Sequence, residues 1–376
     1  MISPQFFIDT LKEKGLNFFA GVPDSLLKSV CAYIQDNIDK KHNIITANEG
    51  CAIGLAAGHY LSTGKIPLVY MQNSGQGNAV NPLASLTDKE VYNIPILLLI
   101  GWRGKPGVKD EPQHKKQGKI TLSLLETMGI EYAILSKEES IAEQQINIAL
   151  EYMNKTKQEY ALIVEKDTFE PYQLEKAEDN NNFSLTREEA IQQVADSFDE
   201  KDVVVSTTGM ISRELFEYRT QKGLSHERDF LTVGSMGHAS SIALGIALEK
   251  TDRKIYCFDG DGALIMHMGS LAVIGSLKPN NYVHVLFNNG AHDSVGGQPT
   301  VALKADLPSV AKSLGYKTVL SVDNKEDLTT ALKDIKDLQG PIFLQICVKK
   351  GNRKDLGRPT TSPIENKEVF IKFLQK

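Results

Sequence analysis

Cysteine is scarce in this sequence, and no two cysteines stand close together. The 376 residues include only four cysteines, without a CxxC pair: Cys31, Cys51, Cys257 and Cys347. A chain of this length can bury a large core without cross-links, so we expect reduced thiols with a structural role and no zinc site. Reduced thiols are typical of cytoplasmic proteins, and we predict that location.

Long hydrophobic runs and excess positive charge are also lacking. The longest apolar stretch, Ile94 to Trp102, is far shorter than the ~20 residues of a membrane-spanning helix. The N-terminus lacks the basic-then-apolar order of a secretory signal. The 42 basic and 47 acidic residues give a net charge of −5, which argues against a general binder of nucleic acid or anionic membranes.

Short apolar runs alternate with longer helical patterns along the chain. Eight short runs are largely apolar, several of them at consecutive positions, namely 16–21, 66–75, 94–102, 161–166, 203–209, 254–262, 283–290 and 341–348. Such runs are typical of strands covered on both faces, so the alternation predicts α/β domains with doubly wound, mostly parallel sheets. A polar stretch at 175–184 predicts domains over 1–172 and 186–376, joined by a linker at 173–185.

Three helix starts can be predicted from capping residues. Ser3 precedes a proline, which suits the first turn of a helix. Ser136 with Glu139, and Thr186 with Glu189, have the spacing of a capping box. We therefore expect helices to begin directly after these three hydroxyl residues.

The most informative segment joins two predicted strands. Gly260-Asp261-Gly262 follows one apolar run, and Asn288-Asn289 ends the next. Neighbouring parallel strands end at the same edge of a sheet, where open α/β sheets bind ligands. Glycines allow close approach to phosphate, while carboxylate and amide oxygens suit a hard divalent cation. The segment predicts a diphosphate held through a metal ion, with two ordinary turns as the alternative.

This GDG…NN spacing resembles the signature of the thiamine diphosphate enzymes. The resemblance implies thiamine diphosphate and Mg²⁺ as cofactors, with Asp261, Asn289 and the carbonyl of Ala291 as metal ligands. It also implies that the cofactor contacts Gly260, Gly262 and Ala263. The implied fold is a pyrimidine-type domain followed by a diphosphate-type domain, without a central third domain. Active sites of this family lie at subunit interfaces, which implies a homodimer or a larger homo-oligomer.

Two further segments of the second half resemble the same family. The stretch VGSMGHASSIALGIAL implies that Gly234 offers its carbonyl to the pyrimidine and that Met236 supports the bent cofactor. A methionine in such a pattern is otherwise an ordinary core residue. The stretch STTGMISREL implies contacts of Thr207, Thr208 and Gly209 with the diphosphate.

The first half contains two candidate acids. Glu49 stands between an apolar strand and a helix of small residues, in a pattern that resembles the family's E-x-x-A-x-x-x-A-x-G. The resemblance implies a hydrogen bond to the pyrimidine ring; the alternative is an exposed glutamate stabilised by the helix dipole. GVPDSLL resembles a loop with an active-site acid, which nominates Asp24; the alternative is an N-cap of a helix starting near Leu26.

A strongly basic segment extends from Gly101 to Thr121 in this acidic chain. A basic loop after a buried strand predicts a local receptor for an anion, with a solvated loop as the alternative. The run W-R-G-x-P-G-x-K-D-E-P-Q-H resembles the phosphonopyruvate decarboxylases, and NNGAHDSVGGQPT resembles these and the sulfopyruvate decarboxylases. Beyond the motif match, we hypothesise that His114 shuttles a proton or contacts the substrate, with an ordinary surface histidine as the alternative. On the same hypothesis, Arg103, Lys105 and Lys109 are the candidates for binding the phosphonate.

We therefore expect a carboxy-lyase that converts the anionic 2-oxoacid 3-phosphonopyruvate into phosphonoacetaldehyde and carbon dioxide in phosphonate biosynthesis. Glu49 is expected to act on the pyrimidine, with Asp24 or His114 as acid or base. The alternatives are a sulfopyruvate decarboxylase, a carboligase of the acetolactate synthase type, and a non-catalytic α/β nucleotide-binding protein.

Overall fold

Two parallel sheets, one in each half of the chain, form the framework of the protein. A computed structural model describes residues 1–175 and 182–376, and the chain divides into the compact units Met1–Ala177 and Glu178–Lys376. Each unit contains one six-stranded sheet with flanking helices, so the predicted α/β fold class is confirmed. The predicted linker at 173–185 includes residues 176–181, which lie outside the described residues.

The first unit has the strand order β2-β1-β3-β4-β6-β5, with every pairing parallel. Its strands are β1 Phe19–Gly21, β2 Asn43–Ile45, β3 Leu68–Gln72, β4 Leu97–Gly101, β5 Glu131–Ile134 and β6 Tyr160–Val164. Its α-helices are α1 Pro4–Glu13, α2 Lys28–Asn37, α3 Glu49–Thr63, α4 Gln76–Pro82, α5 Pro112–Thr127 and α6 Glu139–Thr156. A 3₁₀ turn, Asn73–Gly75, joins β3 to α4.

The second unit has the order β13-β14-β10-β9-β7-β8, again parallel throughout. These strands are β7 Val203–Ser206, β8 Asp229–Leu231, β9 Ile255–Gly260, β10 Tyr282–Asn288, β13 Thr318–Val322 and β14 Ile342–Cys347. A small antiparallel pair consists of β11 Ala291–His292 and β12 Gln298–Pro299. The α-helices are α7 Arg187–Asp196, α8 Met210–Gln221, α9 Ala239–Glu249, α10 Asp261–Met266, α11 Ser270–Leu277, α12 Leu307–Ser313, α13 Lys325–Asp337 and α14 Pro363–Leu374.

Each sheet separates two apolar clusters, which explains the consecutive apolar residues of its inner strands. In β4, Leu97 and Leu99 pack in one cluster while Leu98 and Ile100 pack in the other. Because successive strand residues point to opposite faces, both sets must be apolar when helices cover both faces. Each of the eight apolar runs coincides with a strand, whereas β2, β5, β8 and β13 have no such run and are the edge strands of the two sheets.

Two of the three predicted helix starts are confirmed. Ser3 caps α1, and Thr186 with Glu189 forms a capping box at the start of α7. The capping box predicted at Ser136 is wrong, because α6 begins at Glu139 and its N-cap residue is Glu138. The Glu139 carboxylate accepts a hydrogen bond from the backbone of Ser3 instead of returning to position 136.

All four cysteines lie in the described part of the chain and are free thiols; Cys51 is exposed and the others are buried. Within residues 1–175 and 182–376, no helix combines the length and apolar character needed to cross a membrane.

Candidate active site

Neighbouring strand ends of the second sheet bring together the residues predicted for the metal site. The parallel register pairs Gly260 of β9 with Phe287 of β10. The GDG turn and Asn288-Asn289 therefore leave adjacent strands at the same edge. Beside them, Thr207 follows β7, whose Ser206 pairs with Phe258 of β9.

Asp261 begins α10 and is almost completely buried, with 3% of its surface exposed. Its Oδ2 atom accepts a hydrogen bond from the Thr300 hydroxyl. Burial raises the pKa of Asp261 to about 7, against the opposing effect of this hydrogen bond. No lysine or arginine among the described residues forms an ion pair with Asp261, so a divalent cation would supply the missing counter-charge.

Asn289 is held by bonds at both ends of its side-chain amide. Its Oδ1 atom accepts a hydrogen bond from the backbone N–H of Ala291 at 3.0 Å, and its Nδ2 atom donates to Asp293 Oδ2 at 2.6 Å. An amide oxygen has two lone pairs, so the hydrogen bond from Ala291 does not by itself exclude Oδ1 as the ligand of a cation. Carboxylate, amide and backbone oxygens together fit a hard ion such as Mg²⁺.

The residues predicted beside the diphosphate include one polar group that lacks a partner. Among the residues that the structure describes, the buried Thr207 hydroxyl has no hydrogen-bond partner. The Thr208 hydroxyl accepts a bond from the backbone N–H of Gly234 at 3.1 Å. Gly209, with φ of 103°, is the N-cap of α8. A free hydroxyl beside a helix start suits a phosphate oxygen.

The GDG turn is packed too tightly for a larger residue at its second glycine. A Cβ atom on Gly262 would lie 2.7 Å from Cε1 of His292 and 3.3 Å from Cε of Met236. Met236 is only half-buried and packs on this turn, outside the apolar clusters of the described unit. The reading of Met236 as an ordinary core residue is therefore wrong. Ala263, next in α10, is buried.

Glu49 is buried at the start of α3 in the first unit, with 5% of its surface exposed. Its Oε2 atom accepts a hydrogen bond from Asn78 Nδ2 at 2.7 Å. Burial raises the pKa of Glu49, and the bond from Asn78 partly opposes that rise. The alternative of an exposed helix-start glutamate is wrong, because the turn around Gly75 covers the carboxylate so closely that a Cβ there would lie 2.3 Å from Oε1.

Asp24 is completely buried after β1. Its carboxylate accepts hydrogen bonds from the Leu26 backbone at 3.0 Å and from Gln72 Nε2 at 2.5 Å. Burial raises the pKa of Asp24, although these bonds and the charge of Arg103 oppose the rise. The N-cap alternative is wrong, since α2 begins at Lys28 and no side chain caps it.

Two cations of the basic segment are paired with carboxylates. Arg103 forms two bonds to Asp110, of 2.9 and 2.6 Å, and Lys105 forms an ion pair with Glu165. Lys109 is exposed. The segment is a loop only in its first half, because Pro112 suits a first helical turn and begins α5.

His114 lies in the first turn of α5 and is largely buried. Burial and the nearby Arg103 lower its pKa to about 4, so the ring is neutral at pH 7. Within the described part of the chain, its Nδ1 atom has no hydrogen-bond partner. A neutral imidazole with a free nitrogen can accept a proton or bind a ligand hydroxyl.

Several partners of the site residues were not assigned from the sequence. Gln72 and Asn78 belong to the Gly-rich strand-to-helix turn MQNSGQGN, for which the sequence favours neither a place in the site nor a plain turn. Asp293 and Thr300 belong to NNGAHDSVGGQPT. Polar residues inside these two segments are the available signal, but their contacts depend on the folded chain.

Comparison with known proteins covers both units. Residues 4–126 match the family described as "Thiamine pyrophosphate enzyme, N-terminal TPP binding domain", and residues 207–346 match its C-terminal counterpart. The chain is 33% identical to a phosphonopyruvate decarboxylase of Streptomyces hygroscopicus, covering 99% of this chain and 94% of that protein. Another from Streptomyces viridochromogenes is 31% identical, with coverage of 100% and 95%. A sulfopyruvate decarboxylase of Methanosarcina acetivorans is 30% identical, with coverage of 98% and 96%.

Proposed function

The chain belongs to the thiamine pyrophosphate enzymes, and on this premise we propose that it decarboxylates 3-phosphonopyruvate to phosphonoacetaldehyde and carbon dioxide. The proposal rests on full-length similarity to phosphonopyruvate decarboxylases. The observation that carries the chemistry is a pair of buried carboxylates, Glu49 and Asp261, one in each unit. This activity would supply an aldehyde to phosphonate biosynthesis.

Thiamine diphosphate, when bound, supplies the electron sink that stabilises the charge left by departing carbon dioxide. Asp261, Asn289 and the Ala291 carbonyl would hold Mg²⁺, and the metal would anchor the diphosphate. The oxygen-only donor set supports this role. Glu49 would share a proton with the pyrimidine ring, because its raised pKa favours the protonated carboxyl.

We assign acid–base chemistry to Asp24 and His114. Burial raises the pKa of Asp24, so this carboxyl holds a proton at higher pH than an ordinary aspartate and suits a donor. The neutral His114 suits an acceptor, since its pKa of about 4 leaves a lone pair available at pH 7. We further propose that the protein forms a homodimer or a larger homo-oligomer, which sedimentation equilibrium would measure.

The decisive experiment is an assay with phosphonopyruvate, Mg²⁺ and thiamine diphosphate, with phosphonoacetaldehyde followed by ³¹P NMR and carbon dioxide collected. Omitting the cofactor should abolish both products. Sulfopyruvate, tested in parallel because of the similarity to a sulfopyruvate decarboxylase, should give a lower kcat/KM. Absence of the aldehyde would exclude the proposal, and acetolactate formed from pyruvate would favour a carboligase.

Replacing Arg103 by alanine is expected to raise the KM for phosphonopyruvate about tenfold, equivalent to about 1.4 kcal/mol of lost binding. The guanidinium would bind the phosphonate after exchanging its contacts with Asp110. Asp110→Asn is the matched variant, because it weakens that competing pair and should leave KM unchanged or lower. If both variants raise KM equally, Arg103 shapes the loop and does not contact substrate.

Replacing Gly75 by alanine is expected to lower kcat at least about tenfold while the protein stays folded. The new Cβ would lie 2.3 Å from Glu49 Oε1, so the carboxylate must move away from its present position. Misplacing a catalytic group by about 1 Å can cost roughly a hundredfold in rate. Gly77→Ala is the control, because a Cβ there meets nothing within 4 Å. Equal kcat values for the two variants would contradict the position assigned to Glu49.

A further inference from the structure

A buried arginine of the second unit is bound to the loop that follows β10. Arg187, 5% exposed, donates two bonds to Glu214 of α8, at 2.8 and 2.9 Å. Its Nη1 atom donates a third bond to Asp293 Oδ2 at 2.9 Å. The same Oδ2 atom accepts bonds from Asn289 Nδ2 at 2.6 Å and from the backbone of Gly351 at 3.0 Å. One oxygen of the Asp293 carboxylate thus joins Arg187 of α7, Asn289 in the loop after β10, and Gly351 in the segment after β14.

These contacts decide which way the Asn289 amide faces. Only the oxygen of an asparagine amide can bind a cation, and its NH₂ group would repel one. The Asp293 carboxylate holds the NH₂ end, which leaves Oδ1 at the opposite end of the amide. Without Arg187, the Asp293 carboxylate would lose its ion pair with this arginine. Removing one partner of a buried ion pair leaves an uncompensated charge, and this negative charge would act on Asp261.

We propose that Arg187 is a positioning residue for the metal site, acting through Asp293 to fix the Asn289 amide with its oxygen toward Mg²⁺. This inference rests on the proposed function, because it takes Asp261 and Asn289 as metal ligands. Groups that hold the ligands of a metal in place are typically worth a factor of about 10–100 in metal affinity.

The test is calorimetric titration of Mn²⁺ into the full-length protein with saturating thiamine diphosphate. Arg187→Met should raise the dissociation constant of Mn²⁺ about 10–100-fold. Turnover should recover at saturating metal, because no group that contacts the substrate is lost. Asp293→Asn keeps an oxygen acceptor for Asn289 and should give a smaller increase.

Arg219→Met is the matched control, because Arg219 forms a comparable buried pair with Asp229 in the same unit, at 3.1 and 3.0 Å. It should lower the thermal stability without changing Mn²⁺ affinity.

The proposal is overturned if Arg187→Met and Asp293→Asn bind Mn²⁺ like the wild type, or if Arg219→Met loses as much affinity. If Arg187→Met does not fold, Asp293→Asn decides. If the wild type decarboxylates its substrate and binds Mn²⁺, and Arg187→Met binds Mn²⁺ with the same affinity, only this inference fails. If the wild type neither decarboxylates its substrate nor binds Mn²⁺, the proposed function itself is contradicted.

Discussion

Replacing Glu49 by alanine is expected to reduce turnover by at least about a hundredfold while thiamine diphosphate and metal still bind. Proton transfer by a positioned side chain typically contributes ~10²–10⁴-fold to a rate. Glu49 lies in the first unit, whereas the residues proposed to hold the diphosphate and metal lie in the second, so affinity should change little. Steady-state kcat and cofactor calorimetry separate the two effects.

Glu49→Gln is the control for this prediction. Glutamine keeps an oxygen that can accept the hydrogen bond from Asn78, but it cannot give or take the proton. We expect its kcat to fall nearly as far as that of the alanine variant, because the proton and not the packing is required. Turnover at the wild-type level in Glu49→Ala would remove the basis for the assignment.

Replacing Asp261 by alanine is expected to lower cofactor affinity by at least about a hundredfold, or to abolish retention of the cofactor on purification. The variant removes the charged ligand proposed for Mg²⁺, and the diphosphate then loses its anchor. Calorimetry with thiamine diphosphate in the presence of Mg²⁺ measures the effect. Unchanged affinity would contradict the metal role of Asp261, even if turnover were lost.

Asp261 should also make the protein without cofactor less stable at high pH. Its folded pKa of about 7 lies above the ordinary value of 3.8, so the folded state binds more protons between these values. Stability contributed by this group therefore falls as pH rises through that window. Asp261→Asn, without cofactor, should melt above the wild type at pH 8, and the difference should shrink towards pH 4. A constant difference at both pH values would show that the effect is not due to ionisation.

Several residues of the candidate site can be nominated from the sequence because they stand in short segments with local signals. Gly260, Asp261 and Asn289 are marked by apolar strands that end beside glycine and asparagine. The contacts that set their chemistry were not predictable. Thr300 and Asp293 reach Asp261 and Asn289 through the fold of the β11–β12 segment, and polar turn residues are common without such contacts.

The ion pairs of the basic segment could not be predicted from the sequence either. A count of lysine and arginine between Gly101 and Thr121 indicates an anion receptor. It does not reveal that Arg103 is paired with Asp110, or that Lys105 is paired with Glu165 at the end of β6, far along the chain. Charge composition is local, whereas neutralisation depends on which segments the sheet places side by side.

The sequence by itself determined the α/β class and the inner strands, because each depends on a pattern of apolar residues within a short segment. Its resemblance to the thiamine diphosphate enzymes nominated Glu49, Asp24 and Asp261. The tertiary structure alone decided the strands β5, β8 and β13, whose exposed or mixed faces do not require continuous apolar residues. It also decided the burial of Glu49 and Asp24 and the orientation of Asn289. The physical reason is that desolvation and hydrogen bonding depend on neighbours brought together by strand register, which sequence spacing does not specify.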